Sequence, residues 1–396
     1  MQHLLASIES LREVATSHAA ESERLRTLAP PVVAALRASG LFGLAVPAAL
    51  GGGEHGPLAQ FTAVEALARI DTASAWSLMV SAMLASIAGA YLPEEGAREV
   101  FANGPPPCAG LLTPSGMLRR ERGGYRATGR WAFGSGIRHA EWVVSSAVII
   151  PEAATAPQGP PALCSIVMPV REVVIEDTWH AAGLRGSGSA HYRVEDVFVP
   201  ESRTFPFPAA AAQRGGVMFD LPVIAQLAPV HTAFALGAAR DALDQLAQIA
   251  PSRIKAWPGV ALGAHTGFHM ELGRADAQLR AARAFACAAI GELETRMNER
   301  RPLTLEDWRN TRLAVTHATE VAAEVASFAF RAGGASALYD ASQLQRLFRD
   351  IQAAAQHIAA TDDAYEFAGK LLLGAAEPHP LMTPRPTRHA SDPHTR

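Results

Sequence analysis

Apolar positions recur at helical spacing through the first quarter of the chain, switch to strand-like runs in the second, and return to helical spacing for most of the remainder. Leu4, Leu5, Ile8, Leu11 and Val14 mark a helical face at the start. Pro30-Pro31 can open a second helix and Gly40 can close it. Gly40-Leu41-Phe42-Gly43-Leu44-Ala45-Val46-Pro47, followed by Gly51-Gly52-Gly53, reads as a short extended piece and a loop. Phe61, Val64, Leu67 and Ile70 restore the helical period over 57–104, which Pro93 and Pro105-Pro106-Pro107 punctuate at its end.

From about 108 to 205 the runs become β-branched and aromatic between Gly turns. Examples are Glu141-Trp142-Val143-Val144, Ser165-Ile166-Val167-Met168 and His191-Tyr192-Arg193-Val194, with a Pro/Ala-rich loop at 153–161. Helices are then predicted over 233–249, 263–296, 305–332 and 343–359, a bundle-like set. Past Ala376 the prolines at 378, 380, 384, 386 and 393 predict a flexible tail. A β unit between two helical units is an α+β arrangement rather than an alternating βαβ one. The predicted division is an N-terminal helical domain (1–107), a β domain (108–205), a C-terminal helical bundle (206–375) and a tail (376–396).

Two uncharged runs, 72–93 and 221–239, are long enough to cross a bilayer. Their alanine content, and Pro229 and His231 in the second, favour helices buried on all sides of a large core. Composition agrees: 49% hydrophobic and 18% charged residues describe a globular chain. A net charge of -3 offers no electrostatic case for nucleic acid. Cys108, Cys164 and Cys287 are widely spaced and form no CxxC, so neither a disulfide framework nor a cysteine zinc site is expected. The acidic N-terminus does not read as a signal peptide, and a cytoplasmic location is expected.

Candidate chemistry is sparse. His265 and His269 are at i, i+4 but lack the glutamate of an HExxH site, so no metal is expected. No GxSxG elbow and no nicotinamide-binding βαβ unit is legible; the glycines of 183–188 precede a strand, not a helix. The most suggestive stretch is 344–357. Read as one helix, it places Arg346, Asp350, Ala353 and His357 on one stripe at i, i+4, i+7 and i+11, with Arg346 and Asp350 able to pair.

The order of elements and several motifs resemble the acyl-CoA dehydrogenase fold over roughly residues 1–375. The carrying segments are Gly40-Leu41-Phe42 to Gly51-Gly52-Gly53, Gly183-Leu184-Arg185-Gly186-Ser187-Gly188-Ser189, Val194-Glu195-Asp196-Val197-Phe198-Val199-Pro200, and Leu243-Asp244 with Arg253. Gly129-Arg130-Trp131-Ala132-Phe133-Gly134-Ser135-Gly136 with His139 and Trp142, and Arg349-Asp350 with His357, look like the flavin-dependent monooxygenase branch of that fold. The resemblance implies a central β-barrel, a C-terminal four-helix bundle and a homotetramer. It also implies an oxygenase component that takes FMNH2 or FADH2 from a separate NAD(P)H:flavin reductase. Such a component inserts one atom of O2 into an aromatic, phenolic or indolic substrate through a flavin C4a-hydroperoxide.

In that reading Ser135 partners flavin N5, and His357 acts as a base on the substrate or as a hydrogen-bond partner of the peroxide. Trp131 and Phe133, taken as alternating on a strand and facing one side, would wall the flavin ring beside Ser135 and Gly136. Arg253 would bind the flavin phosphate. The dehydrogenases of the fold need a catalytic glutamate; the positions expected to hold it carry His357 and Ile358, or Gln226 and Leu227. A flavin-dependent acyl-CoA dehydrogenase or desaturase and a non-catalytic flavin-fold scaffold remain the alternatives. Where related monooxygenases have a histidine or tyrosine in an N-terminal helix, Met79, Met83 and Leu84 suggest a more apolar pocket.

Overall fold

The computed structural model describes residues 1–151, 161–206, 211–254 and 259–377. The expected loop at 153–161, except for Pro161, and the tail from 378 onward lie outside the described residues. The N-terminal unit is helical: α1 (Gln2–Glu9), α2 (Arg12–Ser17), α3 (Ala19–Leu25), α4 (Pro30–Ala38), α5 (Pro57–Ala68), α6 (Thr72–Tyr91) and α7 (Glu94–Val100). The stretch expected to be extended at 40–47 is instead a tight turn, Leu41–Gly43, with a second at Ala48–Leu50. Gly40 and Gly51, at φ of 73° and 79°, open the first and close the second, and only glycine takes such angles without strain.

The period over 57–104 resolves into three helices because the chain supplies start signals inside it. Asp71 caps α6 by accepting from the Ser74 amide (2.8 Å) and hydroxyl (2.6 Å), an N-cap worth about 1 kcal/mol. Nearly every residue of α6 is buried, and it packs against α5, α8 and the first β-strand. Its lack of charge thus follows from a position at the centre of the protein. It is long and apolar enough to cross a membrane, but 89% of its apolar window is covered by the protein itself.

The β unit comprises β1 (Cys108–Glu121), β2 (Gly124–Gly134), β3 (Trp142–Ile149), β4 (Leu163–Pro169), β5 (Val174–Ile175), β6 (Ala190–Pro200) and β7 (Thr204–Pro206). They form a seven-stranded sheet in the order β5-β6-β2-β1-β3-β4-β7. Only β1 and β3 among these pair in parallel. The order ends on β5 and β7, so among the described residues the expected barrel is a sheet with two edges. Its pairing slips between Trp131 and Gly134 where β2 meets β6.

The C-terminal unit contains α8 (Val223–Ile249), α9 (Thr266–Asn298), α10 (Leu305–Gly333), α11 (Gln343–Ala354) and α12 (Asp363–Leu372). Helix α8 begins ten residues before the predicted start and carries Pro229 near its N-terminal end. Helix α10 packs on α8, α9 and α11 and starts at a Thr304–Asp307 capping box. Helix α11 stops at Ala354, short of the predicted 359. One apolar core joins α1, α4, α5, α6, α8, α10 and α11, while Trp131, Tyr192, Ile166 and Met168 centre a separate core within the sheet.

Candidate active site

Four elements converge where α6, the end of β2, α8 and the turn after α11 meet. Trp76, one turn into α6, donates its indole N–H to the Ser135 hydroxyl at 3.1 Å. The same ring meets His231 of α8, Phe234 of α8 and His357 edge-on, with centroid separations of 5.8, 5.1 and 5.7 Å. His231 and His357 lie 5.0 Å apart, ring to ring. The two residues that the sequence singled out for catalysis, Ser135 and His357, are thus both brought to one tryptophan that it did not.

Ser135 is buried in the turn that follows β2. Its hydroxyl bonds the Ser189 hydroxyl at 2.7 Å, Ser189 bonds Ser187 at 2.7 Å, and Ser187 donates to the Leu184 carbonyl at 2.7 Å. Gly136 has φ of 78°, and its amide donates to the Ser187 carbonyl at 2.8 Å, which folds the turn onto the serine-bearing loop. A Cβ on Gly136 would stand 3.0 Å from His139 Nε2. That nitrogen is buried and has no hydrogen-bond partner among the described residues. Burial, with Arg37 nearby, pushes the His139 pKa down to about 4, so the ring is neutral.

The 183–189 loop is pinned to α11 from below. A Cβ on Gly183 would stand 1.9 Å from the Arg349 carbonyl oxygen, so only glycine permits this approach. Asp350 accepts from the Leu184 amide at 2.6 Å and from the Thr72 hydroxyl at 2.5 Å. Burial raises its pKa to about 6. The expected Arg346–Asp350 brace is therefore replaced. Asp350 ties α6 to the loop, and Arg349 reaches the Ala182 carbonyl at 2.9 Å and Glu23 at 2.8 Å.

His357 does not extend a helical stripe. The chain leaves α11 at Ala354, whose carbonyl accepts from His231 Nε2 at 3.2 Å and from the His357 amide at 3.1 Å. A fully buried imidazole from another helix thus satisfies the helix end. The following turn carries His357 back over Trp76. Its Nδ1 accepts from the Ala359 amide at 3.1 Å. With Nδ1 occupied as an acceptor, the neutral ring carries its proton on Nε2. Apolar surroundings push its pKa down to about 4, and burial, reinforced by His357, pushes that of His231 down to about 3.

Trp131 and Phe133 do not share a face. The register slip after Trp131 takes Phe133 to φ of 57°, outside regular strand geometry, and turns it outward at 59% exposure. Trp131 is wholly buried, donates to the Ser146 carbonyl at 2.9 Å and stacks on Tyr192 at 5.5 Å. It belongs to the core of the sheet and not to a cofactor wall. The outward Phe133 ring meets Trp179 and His191 edge-on.

Arg253 is not part of the cluster. It follows α8, beyond the end opposite His231, roughly 30 Å away at 1.5 Å per helical residue. There it donates to the Ala332 carbonyl at the end of α10. Of the three apolar residues expected to line the pocket, Met79 and Leu84 are buried in the core and Met83 is half-buried, while Trp76 is the α6 side chain that meets Ser135 and the imidazoles. The only tryptophan of α6, Trp76, and the only histidine of α8, His231, were the available signals for the two missed residues.

Comparison with known proteins identifies the fold that carries this site. Residues 6–96 match the acyl-CoA dehydrogenase N-terminal domain and residues 229–362 the acyl-CoA dehydrogenase C-terminal domain. The chain is 32% identical over 362 residues to indole-3-acetate monooxygenase of Pseudomonas putida, covering 89% of each. It is 32% identical over 253 residues to the FADH2-dependent resorcinol hydroxylase oxygenase component of a Rhizobium species, covering 61% of this chain and 60% of that one. XiaF from a Streptomyces species, solved with FADH2 and glycerol, is similar at a TM-score of 0.86 and 26% identity, covering 96% of both chains.

Proposed function

The chain belongs to the acyl-CoA dehydrogenase family, in its branch of flavin-dependent monooxygenases, and from that membership we propose that it is the oxygenase component of a two-component system acting on a phenolic or indolic ring. The single observation that carries this reading is the junction itself. Ser135 from the sheet, Trp76 from α6 and His357 from the C-terminal unit meet at one point.

The residues fit a flavin. An isoalloxazine needs a flat apolar face and polar partners along one edge. The outward Phe133 ring offers the first, and the Ser135 hydroxyl and the Gly136 turn, two and three residues on, offer the second. Reduced flavin, as FADH2 or FMNH2 supplied by a separate reductase, provides the electrons that activate O2. The protein keeps water out and fixes protons. Ser135 would hold its hydroxyl toward the ring edge, and Trp76 would exclude solvent between the serine and the imidazoles.

His357 serves as a hydrogen-bond donor through Nε2 rather than as a base, because Ala359 occupies Nδ1 and the ring is neutral above about pH 4. The dehydrogenase alternative lacks its agent. Positions 357, 358, 226 and 227 hold no carboxylate, and buried Asp71 and Asp350 already accept hydrogen bonds from Ser74, Thr72 and Leu184.

A homotetramer assembled through the C-terminal helices would cover Leu338, Tyr339, Leu372 and Leu373, which are exposed in the single chain. It would also let Arg253 meet the flavin phosphate of a neighbouring copy, a role that distance denies it within one chain. Sedimentation velocity tests the assembly.

The activity is tested by loading the protein with reduced FAD or FMN without oxygen, then mixing with 18O2 and resorcinol or indole-3-acetate. Product carrying one labelled oxygen is expected. Reduction of bound oxidised flavin by an acyl-CoA, with no reductase present, would overturn the reading in favour of a dehydrogenase. Failure to bind flavin in either redox state would leave a scaffold.

A further inference from the structure

The serine chain beside Trp76 has a direction. Its four hydrogen bonds run Trp76–Ser135, Ser135–Ser189, Ser189–Ser187 and Ser187–Leu184 carbonyl, at 3.1, 2.7, 2.7 and 2.7 Å. The indole N–H at one end can only donate, and the carbonyl at the other can only accept. Between them stand three hydroxyls, each with one proton. Four protons serve four bonds, and a single assignment satisfies all of them. Trp76 donates to Ser135, Ser135 to Ser189, Ser189 to Ser187, and Ser187 to Leu184.

Reversing the chain would take the Ser187 proton from the Leu184 carbonyl, which keeps the Trp179 indole N–H and the Ser187 amide, both at 3.0 Å, and would turn the Ser135 proton away from Ser189 with the indole N–H as its neighbour. All three serines are buried. The acceptor end is held in place as well, because Asp350 binds the amide of the same Leu184 and anchors to Thr72, one turn before Trp76 on α6.

We infer that Ser187 and Ser189 are positioning residues that bias Ser135 toward accepting a hydrogen bond from the flavin and so favour its reduced form. This rests on the assignment of the flavin edge to Ser135 made above. The chemistry of discrimination is simple. Oxidised flavin presents a lone pair at N5, whereas reduced flavin presents an N–H there. Ser135 has its proton committed to Ser189 and keeps a lone pair to offer. It accepts from the reduced form as it stands, whereas an oxidised N5 is met by a donor only if the whole chain reverses and the Ser187–Leu184 bond is given up. Neither Ser187 nor Ser189 need touch the flavin; both act through the orientation of the Ser135 proton.

The experiment measures dissociation constants of the full-length protein for oxidised and anaerobically reduced FAD and FMN. The proteins compared are wild type, Ser189→Ala, Ser187→Ala, Ser135→Ala and Ser189→Thr, with a thermal midpoint recorded for each. Removing Ser189 frees the Ser135 proton to bond an oxidised N5. Removing Ser187 lets Ser189 turn and donate to Ser135, with the same result. Both alanine variants are expected to lower the oxidised-to-reduced ratio of dissociation constants about tenfold, the worth of one hydrogen bond. Most of the change should come from tighter oxidised binding, which loss of fold would not produce. Ser189→Thr keeps a hydroxyl and is expected to restore the wild-type ratio.

If Ser135→Ala collapses the ratio while Ser187→Ala and Ser189→Ala leave it unchanged, the relay inference is overturned and the flavin assignment stands. If Ser135→Ala changes neither dissociation constant, the flavin edge is not at Ser135, and both are overturned. Should Ser189→Ala fail to fold, Ser187→Ala decides alone.

Discussion

The two sides of Trp76 control protons by opposite means. On the sheet side every hydroxyl is enclosed in a hydrogen-bond chain, and proton positions are set by who can donate and who can accept. On the helical side two imidazoles pack against Trp76 and each other, and burial sets their state by excluding charge. Hydrogen bonding fixes where a proton points; desolvation fixes how many protons there are. A site that must hold a reactive reduced cofactor near oxygen needs both, because a misplaced donor and a stray charge each open a route to unproductive oxidation.

The helical side is broken most directly at His357. His357→Ala is expected to lower coupled product formation about 100-fold, the scale of a positioned proton-transfer or hydrogen-bonding side chain, while reduced-flavin affinity stays close to wild type. His357→Gln sharpens the test, since it retains an N–H donor but no base. Recovery of a substantial part of the activity supports donation through Nε2, whereas a glutamine variant as inactive as alanine rules it out. The sheet side should respond less. Ser135→Ala is expected to cost about tenfold in coupling efficiency, seen as reduced flavin consumed with hydrogen peroxide released in place of product. Unchanged coupling in this variant would place the chemistry elsewhere.

Stability against pH separates the two sides again. The folded-state pKa of His231, about 3, lies below its ordinary value of 6.5. Between these values the unfolded chain binds the additional proton. The contribution of His231 to stability is therefore present above about pH 6.5 and declines as the pH falls toward 3. His357, at about 4, acts in the same sense. Asp350 runs the other way: its folded value of about 6 lies above the ordinary carboxylate value, so its contribution holds at low pH and is lost as the pH rises through 6. His231→Gln keeps an N–H for the Ala354 carbonyl and removes the titration. Its thermal midpoint should fall less between pH 7 and pH 4 than that of the wild type, and an identical fall would show that His231 is not held neutral by burial.

How far this site was legible beforehand depended on which residues were asked to reveal it. The helical–β–helical order was legible because α1, α5 and α10 bury a recurrent helical face, while β3 and β4 are short apolar and β-branched runs buried on both faces. Ser135 stood out through its motif. His357 was chosen for the right neighbourhood and the wrong geometry. Ala353-Ala354-Ala355 contains no glycine or proline to stop a helix, and what stops it is His231, more than a hundred residues earlier in the chain. Alternation placed Trp131 and Phe133 together because a strand was assumed without a bulge. Trp76 escaped notice because a helix apolar all round has no face that marks a site. Ser187 and Ser189 read as turn serines among glycines, and their roles exist only once the loop folds onto Ser135.

The smallest expected effect tests that bulge. Trp131 fills the sheet core, with Gly116 and Gly129 leaving room for its ring: a Cβ at either would stand 2.4 and 2.6 Å, respectively, from the nearest atom, Trp131 itself in the first case. Trp131→Phe should cost about 2 kcal/mol of stability through the lost bond to Ser146 and incomplete filling, with flavin affinity and coupling unchanged. Phe133→Ala should do the reverse. Its ring is outward, so stability should hardly move, while flavin affinity should drop several-fold if the ring faces the isoalloxazine. The two substitutions lie two residues apart on one strand. A strand without the register slip would give them the same phenotype, and the slip predicts that they separate into one that destabilises the fold and one that loosens the cofactor.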